Sequence, residues 1–573
     1  MPLTPEQRPS QSARGWIEPE LALLLAIVCV IYLTRLAAPN LRGEETRRGR
    51  VAVEMIQTGD WIVPRQQGQL FLSRPPLQNW LIGLCGLVRG EVDWLAIRLP
   101  SALATILLAG LIYGYARGCL SPAGSLVAGL SFATMIQVIE LGRLGETEAL
   151  FALAVGSSLL VWHWGWTRGQ SPLVTWCLSY ALVAGGMLLK GPQGPVFFAG
   201  PVGLYLIATR RWRDLFTWSH AAGIALFFAL WNAWQLPYYL AAGSEATWNI
   251  YGHDVALRFA DRSSATLLKH LAVYPLEIFV CLLPWSPLLL VCIRGSFWNW
   301  LGQKRPYVIF LLCSLVATFP AVWFVPGARS RYYLPLYPCF AVLIALAAEH
   351  CWHSAARAPW QNAWRQLLAG LAAVMAAAGI GVGLLGFMPE AVGAMAQSWL
   401  FGTSFALASL LLAALAWWSA AGRTESQRRV GPVAVAAFVA LAYVGLVTNI
   451  RVRLSNDTER QIAELKQRLP AGAQLVSVGL LDHMFTFYFG EPIAALPSAP
   501  PGDSTYFCFR PSRAASQQLD FAWEPVAVIN CDRNRRGSPQ RIVVVGRRLP
   551  AGSGVALASF AEPVNDSPGT QRR

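Results

Sequence analysis

The chain has 573 residues, of which 55% are hydrophobic and only 13% charged, about half the charged share usual in soluble domains. Mean hydropathy is positive, at +0.42, which excludes an ordinary soluble globular protein and makes lipid the solvent for most of the chain. The net charge is +15, but the basic residues sit in short loops between apolar runs rather than in one dense stripe. Nucleic acid is therefore excluded as a partner, and membrane lipids, through anionic headgroups and phosphates, are expected instead.

A helix satisfies its own backbone in hydrocarbon, so a run of roughly twenty apolar residues reads as a span. About thirteen runs qualify, at 20–38, 96–116, 122–140, 147–165, 173–189, 192–209, 216–236, 271–293, 306–325, 332–350, 364–388, 399–421 and 430–450. The first sits where a signal peptide would, but Ala37-Ala38-Pro39 offers no clean small-x-small cleavage site, and the run is read as an uncleaved helix. Basic residues in short loops are retained in the cytoplasm, and three such loops agree in parity: Arg210, Arg211 and Arg213, then Arg294, Lys304 and Arg305, then Arg423, Arg428 and Arg429. Residues 1–19 are thus placed in the cytoplasm and everything after 450 outside.

The first outer loop, 39–95, is arginine-rich against that rule, which weakens in long loops. Its residues 44–58 have helical spacing, with Val51, Met55 and Ile56 on one side, and are expected to lie on the membrane surface. Residues 76–89 are too short to span comfortably and read as a second interfacial helix, with Trp80 at headgroup depth. A later outer loop, 237–270, carries His253, Asp254, Arg258, Asp261, Arg262, Lys269 and His270; its two histidines are not spaced as a metal pair.

After 450 the composition turns polar. Ser455-Asn456-Asp457 can cap a short helix that runs to Leu469 before Pro470, and LVSVGL, FTFYF, TYFCF, VAVI and IVVVG read as short strands. The fold class is therefore an all-α polytopic membrane domain, residues 20–450, followed by a small soluble α/β or α+β domain at 451–562 and a disordered tail at 563–573. The cysteines lie mostly in apolar segments with no C-x-x-C spacing, and read as buried thiols. Cys508 and Cys531 share the polar domain, where a disulfide would fit an oxidising compartment.

Ionisable residues are costly in lipid and persist where they are used or shielded. Here Glu44, Glu45, Arg74, Arg143, Glu146, Glu148, Lys190, Arg329 and Arg331 all fall at junctions placed outside, so an outward cavity holding carboxylates and cations is expected. That set suits glycosyl transfer from a phosphate-linked donor: a carboxylate takes the proton of an attacking hydroxyl, and cations stabilise the departing phosphate. The competing reading of each residue is a helix-end or headgroup contact, which for Glu146 and Glu148 follows from the helix dipole.

The string EETRRGRVAVEMIQTGDWIVP, then GQLFLSRPPLQNW, AIRLPSALA, GRLGETEALFAL, LLKGPQGP, DVALRFADR with LLPWSPLLL, and PGARSRYYLPLYP, spread over roughly residues 35–345, resembles bacterial phospholipid-carrier-dependent glycosyltransferases of the GT-C fold. That group includes the aminoarabinose transferase that modifies lipid A and is related to protein O-mannosyltransferases. The resemblance implies a GT-C membrane domain with two interfacial helices in the first outer loop and a periplasmic C-terminal domain. It implies catalytic roles for Glu44 and Glu148, with Glu44 in the place of the family's Asp and so one methylene longer. The substrate-binding residues it implies are Glu45, Arg47, Arg74, Arg143, Lys190, Arg258, Arg331 and Tyr332, with Arg74-Pro75 standing where the family has Lys-Pro. In the aminoarabinose branch a metal is held at places occupied here by Ser73 and Val255, so that metal is not carried over; no cofactor is expected, and a divalent metal stays open.

The expected partners are a polyprenyl-phosphate sugar donor and a lipid A, glycolipid, polysaccharide or protein acceptor, at the periplasmic face of the inner membrane. A protein O-glycosyltransferase of the same fold remains open, as does a transporter or inactive membrane scaffold. The transporter is disfavoured by the scarcity of charges at span centres and the lack of paired halves.

Overall fold

The computed structural model describes residues 18–258, 264–353, 361–388, 398–496, 505–511, 521–532 and 541–550. Two compact units emerge. The first comprises residues up to Ala37, Leu72–Leu81 and Leu95–Ile450; the second comprises Ala38–Phe71, Ile82–Trp94 and Arg451 onward.

The first unit is a multi-pass membrane domain. Among the described residues eight helices are long and apolar enough to cross a bilayer, and two bent pairs, Pro122–Thr134 with Ile136–Gly142 and Thr266–Cys281 with Ser286–Ile293, bring the number to ten. Two expected runs are shorter apolar helices, Pro19–Leu33 and Gln193–Ala208. The remaining one, 216–236, lies from Trp218 onward in the helix Trp218–Arg258, which is kinked at Gly243. Each of the thirteen runs is thus helical, though fewer than thirteen are straight spans.

Gly156 lets the helix Thr147–Thr167 meet the segment that follows Ser330. A Cβ there would stand 3.0 Å from the Pro338 ring and 3.3 Å from the Pro335 carbonyl oxygen. The helix Pro172–Lys190 ends at Gly191, whose φ of 74° suits glycine, so Lys190 is its last residue. Arg331 and Tyr332 lie in a 3-10 turn, Ser330–Leu336. Side-chain bonds pin the first half of that turn: Gln137 Nε2 donates to Ser330 Oγ (2.9 Å), Gln193 Nε2 to the Tyr332 carbonyl (3.0 Å), and Tyr333 Oη to the Leu315 carbonyl (2.7 Å).

The second unit is α/β. The loop 39–95 supplies the helix Glu45–Thr58 and a hairpin of β1 (Arg65–Gln66) and β2 (Gln69–Leu70). The polar C-terminal part supplies β3 (Leu475–Val478), β4 (Ala494–Leu496), β5 (Tyr506–Phe509), β6 (Trp523–Asn530) and β7 (Ile542–Arg548). These form one sheet in the order β4-β3-β5-β7-β6, parallel across β4-β3-β5 and antiparallel elsewhere. Alternation along the strands separates two cores: Cys508, Val543 and Val545 with Phe485, Phe489, Ile462 and Leu465 on one face, and Phe507, Phe509 and Val544 with Trp523 on the other.

Four expectations change here. The helix Glu45–Thr58 does bury Val51 and Met55, but Arg48, Arg50 and Glu54 are buried too. It packs on the helix His483–Phe489 and on β1 rather than presenting a polar face to water above a membrane surface. FTFYF is helical, not a strand: Asp482 caps the helix by accepting from Met484 N (3.0 Å), Gly490 ends it at φ 77°, and Phe485 and Phe489 stack at i,i+4 spacing. Cys508 and Cys531 are free thiols buried in the same core rather than a disulfide, and burial raises both above the usual thiol range. Most of residues 39–95, read as a loop of the membrane domain, falls instead in one compact unit with Arg451 onward. The segments 1–17 and 551–573, which include the N-terminal piece and the tail, lie outside the described residues.

Candidate active-site clusters

The structure gathers the sequence-predicted residues in two places, one in each unit. In the membrane unit, Glu148 stands in the first turn of Thr147–Thr167, where its charge also complements the helix dipole. Its Oε1 lies 3.2 Å from Lys190 Nζ and 3.5 Å from Arg331 Nε. Arg331 Nη1 donates in turn to Glu146 Oε2 at 2.7 Å. Arg74 is near enough to act electrostatically on both Glu148 and Lys190. The Lys190 side chain is 1% exposed and that of Glu148 6%, whereas Arg331 keeps 24%.

The Lys190 ammonium also sits over the rings of Phe151 (5.1 Å) and Tyr332 (5.0 Å), a favourable setting for a desolvated cation. Three cations therefore share two carboxylates in a largely dry site, and the arrangement carries one positive charge in excess. Such a site can hold a phosphate with charge-assisted hydrogen bonds. Glu146, expected from the sequence among the outward carboxylates but not among the residues the resemblance implied, is a full member. Its carbonyl is fixed by Ser101 Oγ at 3.1 Å.

Arg143 does not join this cluster. One of its terminal nitrogens donates to the Ile31 carbonyl and the other to that of Thr34 (2.9 Å), at the C-terminal end of Pro19–Leu33, and its guanidinium lies 5.3 Å from the Tyr443 ring centroid. There it satisfies orphan carbonyls of a helix end. The side chain of Arg258 lies outside the described residues, as do His253, Asp254, Val255, Asp261 and Arg262. His270 is described, and its Nε2 stands 3.3 Å from the Val322 carbonyl. No group of three potential metal ligands occurs among the described residues.

In the second unit Glu44 immediately precedes the helix Glu45–Thr58 and pairs with Arg47, one turn on, at 2.8 Å. Glu45 turns inward and is fully buried, its Oε2 accepting from Arg42 N at 2.9 Å, which is a loop-closing role. Thr46 Oγ1 lies 2.6 Å from His483 Nδ1. Next to that histidine, Arg541 grips Asp482 with two bonds, Nε to Oδ2 at 3.0 Å and Nη2 to Oδ1 at 3.2 Å.

Burial opposes charge on Asp482, but His483 and the Arg541 fork together hold its carboxyl below the usual range. Burial lowers His483 to about 4, outweighing the attraction of Asp482, so its ring is neutral at pH 7. A cavity of about 350 Å³ opens among Glu44, Arg47, Gln66, Asp482, His483, Arg510 and Arg541. A larger groove of about 1160 Å³ elsewhere in this unit contains none of the sequence-predicted residues; two of its cations, Arg50 and Lys466, are paired with Glu54 and Glu491. Asp482, His483, Arg510 and Arg541 escaped the sequence reading. The one legible signal was an Asp-His pair directly before an aromatic run.

Comparison with known proteins agrees with this geometry. The family model for dolichyl-phosphate-mannose-protein mannosyltransferase matches residues 73–234. The undecaprenyl phosphate-alpha-4-amino-4-deoxy-L-arabinose arabinosyl transferase 2 of Proteus mirabilis is 27% identical over 62% of this chain and 64% of its own. The corresponding transferase of Pseudomonas savastanoi is 29% identical over 57% of this chain and 61% of its own. The chain thus spans less than two thirds of the length of these relatives. The crystal structure of ArnT from Cupriavidus metallidurans bound to undecaprenyl phosphate superposes with a TM-score of 0.69 at 18% identity, covering 93% of this chain and 98% of that one. The fold is therefore the GT-C type that the motifs implied, and the sequence is similar to the aminoarabinose transferases.

Proposed function

We propose that this chain is an inverting glycosyltransferase that moves a sugar from a polyprenyl-phosphate carrier to a lipid A, glycolipid, polysaccharide or protein acceptor at the periplasmic face of the bacterial inner membrane. The reading is carried by the buried cluster of the membrane unit, where Lys190, Arg331 and Arg74 surround Glu148 with positive charge in excess. A dry, preorganised set of cations is worth most where negative charge develops, as on a departing phosphate. The relatives whose names specify an undecaprenyl phosphate-linked sugar support the same donor class.

In this mechanism the acceptor hydroxyl attacks the anomeric carbon from the side opposite the phosphate, so configuration inverts. Glu44 takes the hydroxyl proton as the new C–O bond forms, and Arg47 orients its carboxylate through their 2.8 Å contact. The bond from the anomeric carbon to the phosphate oxygen breaks, and the lipid phosphate leaves with the electron pair. Lys190, Arg331 and Arg74 meet that charge. Glu148 keeps Lys190 and Arg331 in position, and the Tyr332 ring walls the lysine.

The test is incubation of the purified protein with candidate polyprenyl-phosphate sugars and a lipid extract, with products read by mass. Sugar appearing on an acceptor at the expense of carrier-bound sugar is the expected result, and a carrier that keeps its sugar under every condition refutes it. The match to a protein mannosyltransferase family model favours protein as a second acceptor class. Mass spectrometry of exported proteins against lipid extracts from a deletion strain separates the two.

A further inference from the structure

The mechanism above employs the cations of the membrane unit and, in a second cationic cavity, only Glu44 and Arg47; Arg510 and Arg541 of that cavity have no part in it. That cavity, of about 350 Å³, lies wholly in the second unit, and Glu44 forms part of its wall. Three arginines line it, Arg47, Arg510 and Arg541, against two carboxylates, Glu44 and Asp482. Its construction is rigid. Asp482 holds Arg541 by a two-bond fork and at the same time caps the helix His483–Phe489, so the guanidinium is anchored to the backbone of that helix. Thr46 fixes the His483 ring from the helix that follows Glu44.

Arg47 gives Nη1 to Glu44, while its Nε is buried and makes no hydrogen bond among the described residues. A buried guanidinium donor without an acceptor costs free energy unless something supplies one. An oxyanion does so. Arginine is the side chain suited to such a partner, because its planar fork matches two oxygens at once.

Resting on the transferase reading above, we propose that this cavity binds an oxyanion group of the acceptor, a phosphate or a carboxylate, and that the C-terminal domain is thereby the element that selects the acceptor. Arg510 and Arg541 are the binding residues contributed by the C-terminal domain, Arg47 the one contributed by the first outer loop, and Asp482 positions Arg541. An acceptor held by its anion in a cavity walled by Glu44 has a neighbouring hydroxyl presented to the carboxylate that removes its proton.

The full-length protein in detergent is first saturated with undecaprenyl phosphate, so that the donor cations are occupied, and then titrated calorimetrically with inorganic phosphate and, separately, with acetate. One site is expected, weakened at least tenfold in both Arg510→Gln and Arg541→Gln; the anion that binds more tightly names the class. Because Arg541→Gln also releases Asp482, its thermal melt is recorded alongside, and Arg510→Gln carries the test where that variant fails to fold. The proposal is overturned by absence of binding in the wild type, by binding that neither substitution weakens, or by binding lost in Lys190→Met instead, which would assign the anion to the donor cluster. Failure of the transferase reading shows elsewhere, as no transfer of sugar from any carrier, and leaves this titration unchanged.

Discussion

Replacing Glu148 by glutamine removes the negative centre of the membrane-unit cluster while keeping its volume. The Lys190 side chain is 1% exposed and has the Glu148 carboxylate 3.2 Å away, so in the variant its charge remains buried with cation–π contacts to Phe151 and Tyr332 as support. Arg331 loses less, because it keeps Glu146 at 2.7 Å and retains 24% exposure. Breaking one half of a buried pair costs about 3–5 kcal/mol. The amide of glutamine and the retained Glu146 place Glu148→Gln near the lower end, at about 3 kcal/mol. Lys190→Met leaves Glu148 with Arg331 and is expected to cost less.

The double variant, which removes both charges, is expected to cost less than the two single losses together by about 1–3 kcal/mol. Reversible unfolding in mixed micelles with increasing denaturing detergent measures all four corners of this cycle. Inorganic phosphate or undecaprenyl phosphate is further expected to raise the stability of Glu148→Gln more than that of the wild type, because the anion replaces the missing charge. Strict additivity, or a Glu148→Gln protein as stable as the parent, would show that the pair is not the buried, interdependent unit described.

Other consequences can be checked separately. Glu44→Gln is expected to lower sugar transfer by roughly 10²–10⁴-fold with expression and melting unchanged, measured in the reconstituted assay; full activity refutes its role as base. Arg74→Ala is expected to raise the donor concentration needed for half-maximal rate, and an unchanged donor dependence removes it from the phosphate site. Because folding depresses His483 to about 4, the unfolded chain takes up a proton from about pH 6.5 downward while the folded one does not. Stability should therefore be independent of this group above pH 6.5 and fall by about 3 kcal/mol as pH drops from 6.5 to 4, a loss that melts of His483→Gln should not show. Gly156→Leu forces a side chain against Pro338 and the Pro335 carbonyl and should destabilise by about 1–3 kcal/mol, read in the same unfolding assay.

Much of the membrane unit was legible because a span needs only length and apolarity, and because polar residues survive at span ends where they have partners. Glu148 and Lys190 were recoverable on that basis: one opens a helix and the other closes one. Arg143 and Glu45 satisfy the same description, yet each bonds to backbone, Arg143 to the carbonyls of Ile31 and Thr34 and Glu45 to the amide of Arg42, and no side-chain pattern reveals such contacts. FTFYF misled because a run of aromatics fits a half-buried strand, whereas the cap at Asp482 and the stop at Gly490 decide for helix. Asp482, His483 and Arg541 were invisible for another reason. Their value comes from an ion pair between residues 59 positions apart and a contact between Thr46 and His483 across 437, and pairings of that range leave no local mark.

The grouping of the first outer loop with residues beyond 450 bears on how this chain can be dissected. The helix that buries Val51 and Met55 packs on one formed more than four hundred positions later in synthesis. A chain stopped at Ile450 would not shed an appendage; it would strand the segment bearing Glu44 with its greasy side uncovered and its histidine partner missing. Loss of function in such a truncation would report the collapse of that segment, and point substitutions within an intact chain are the cleaner way to ask what the terminal domain contributes.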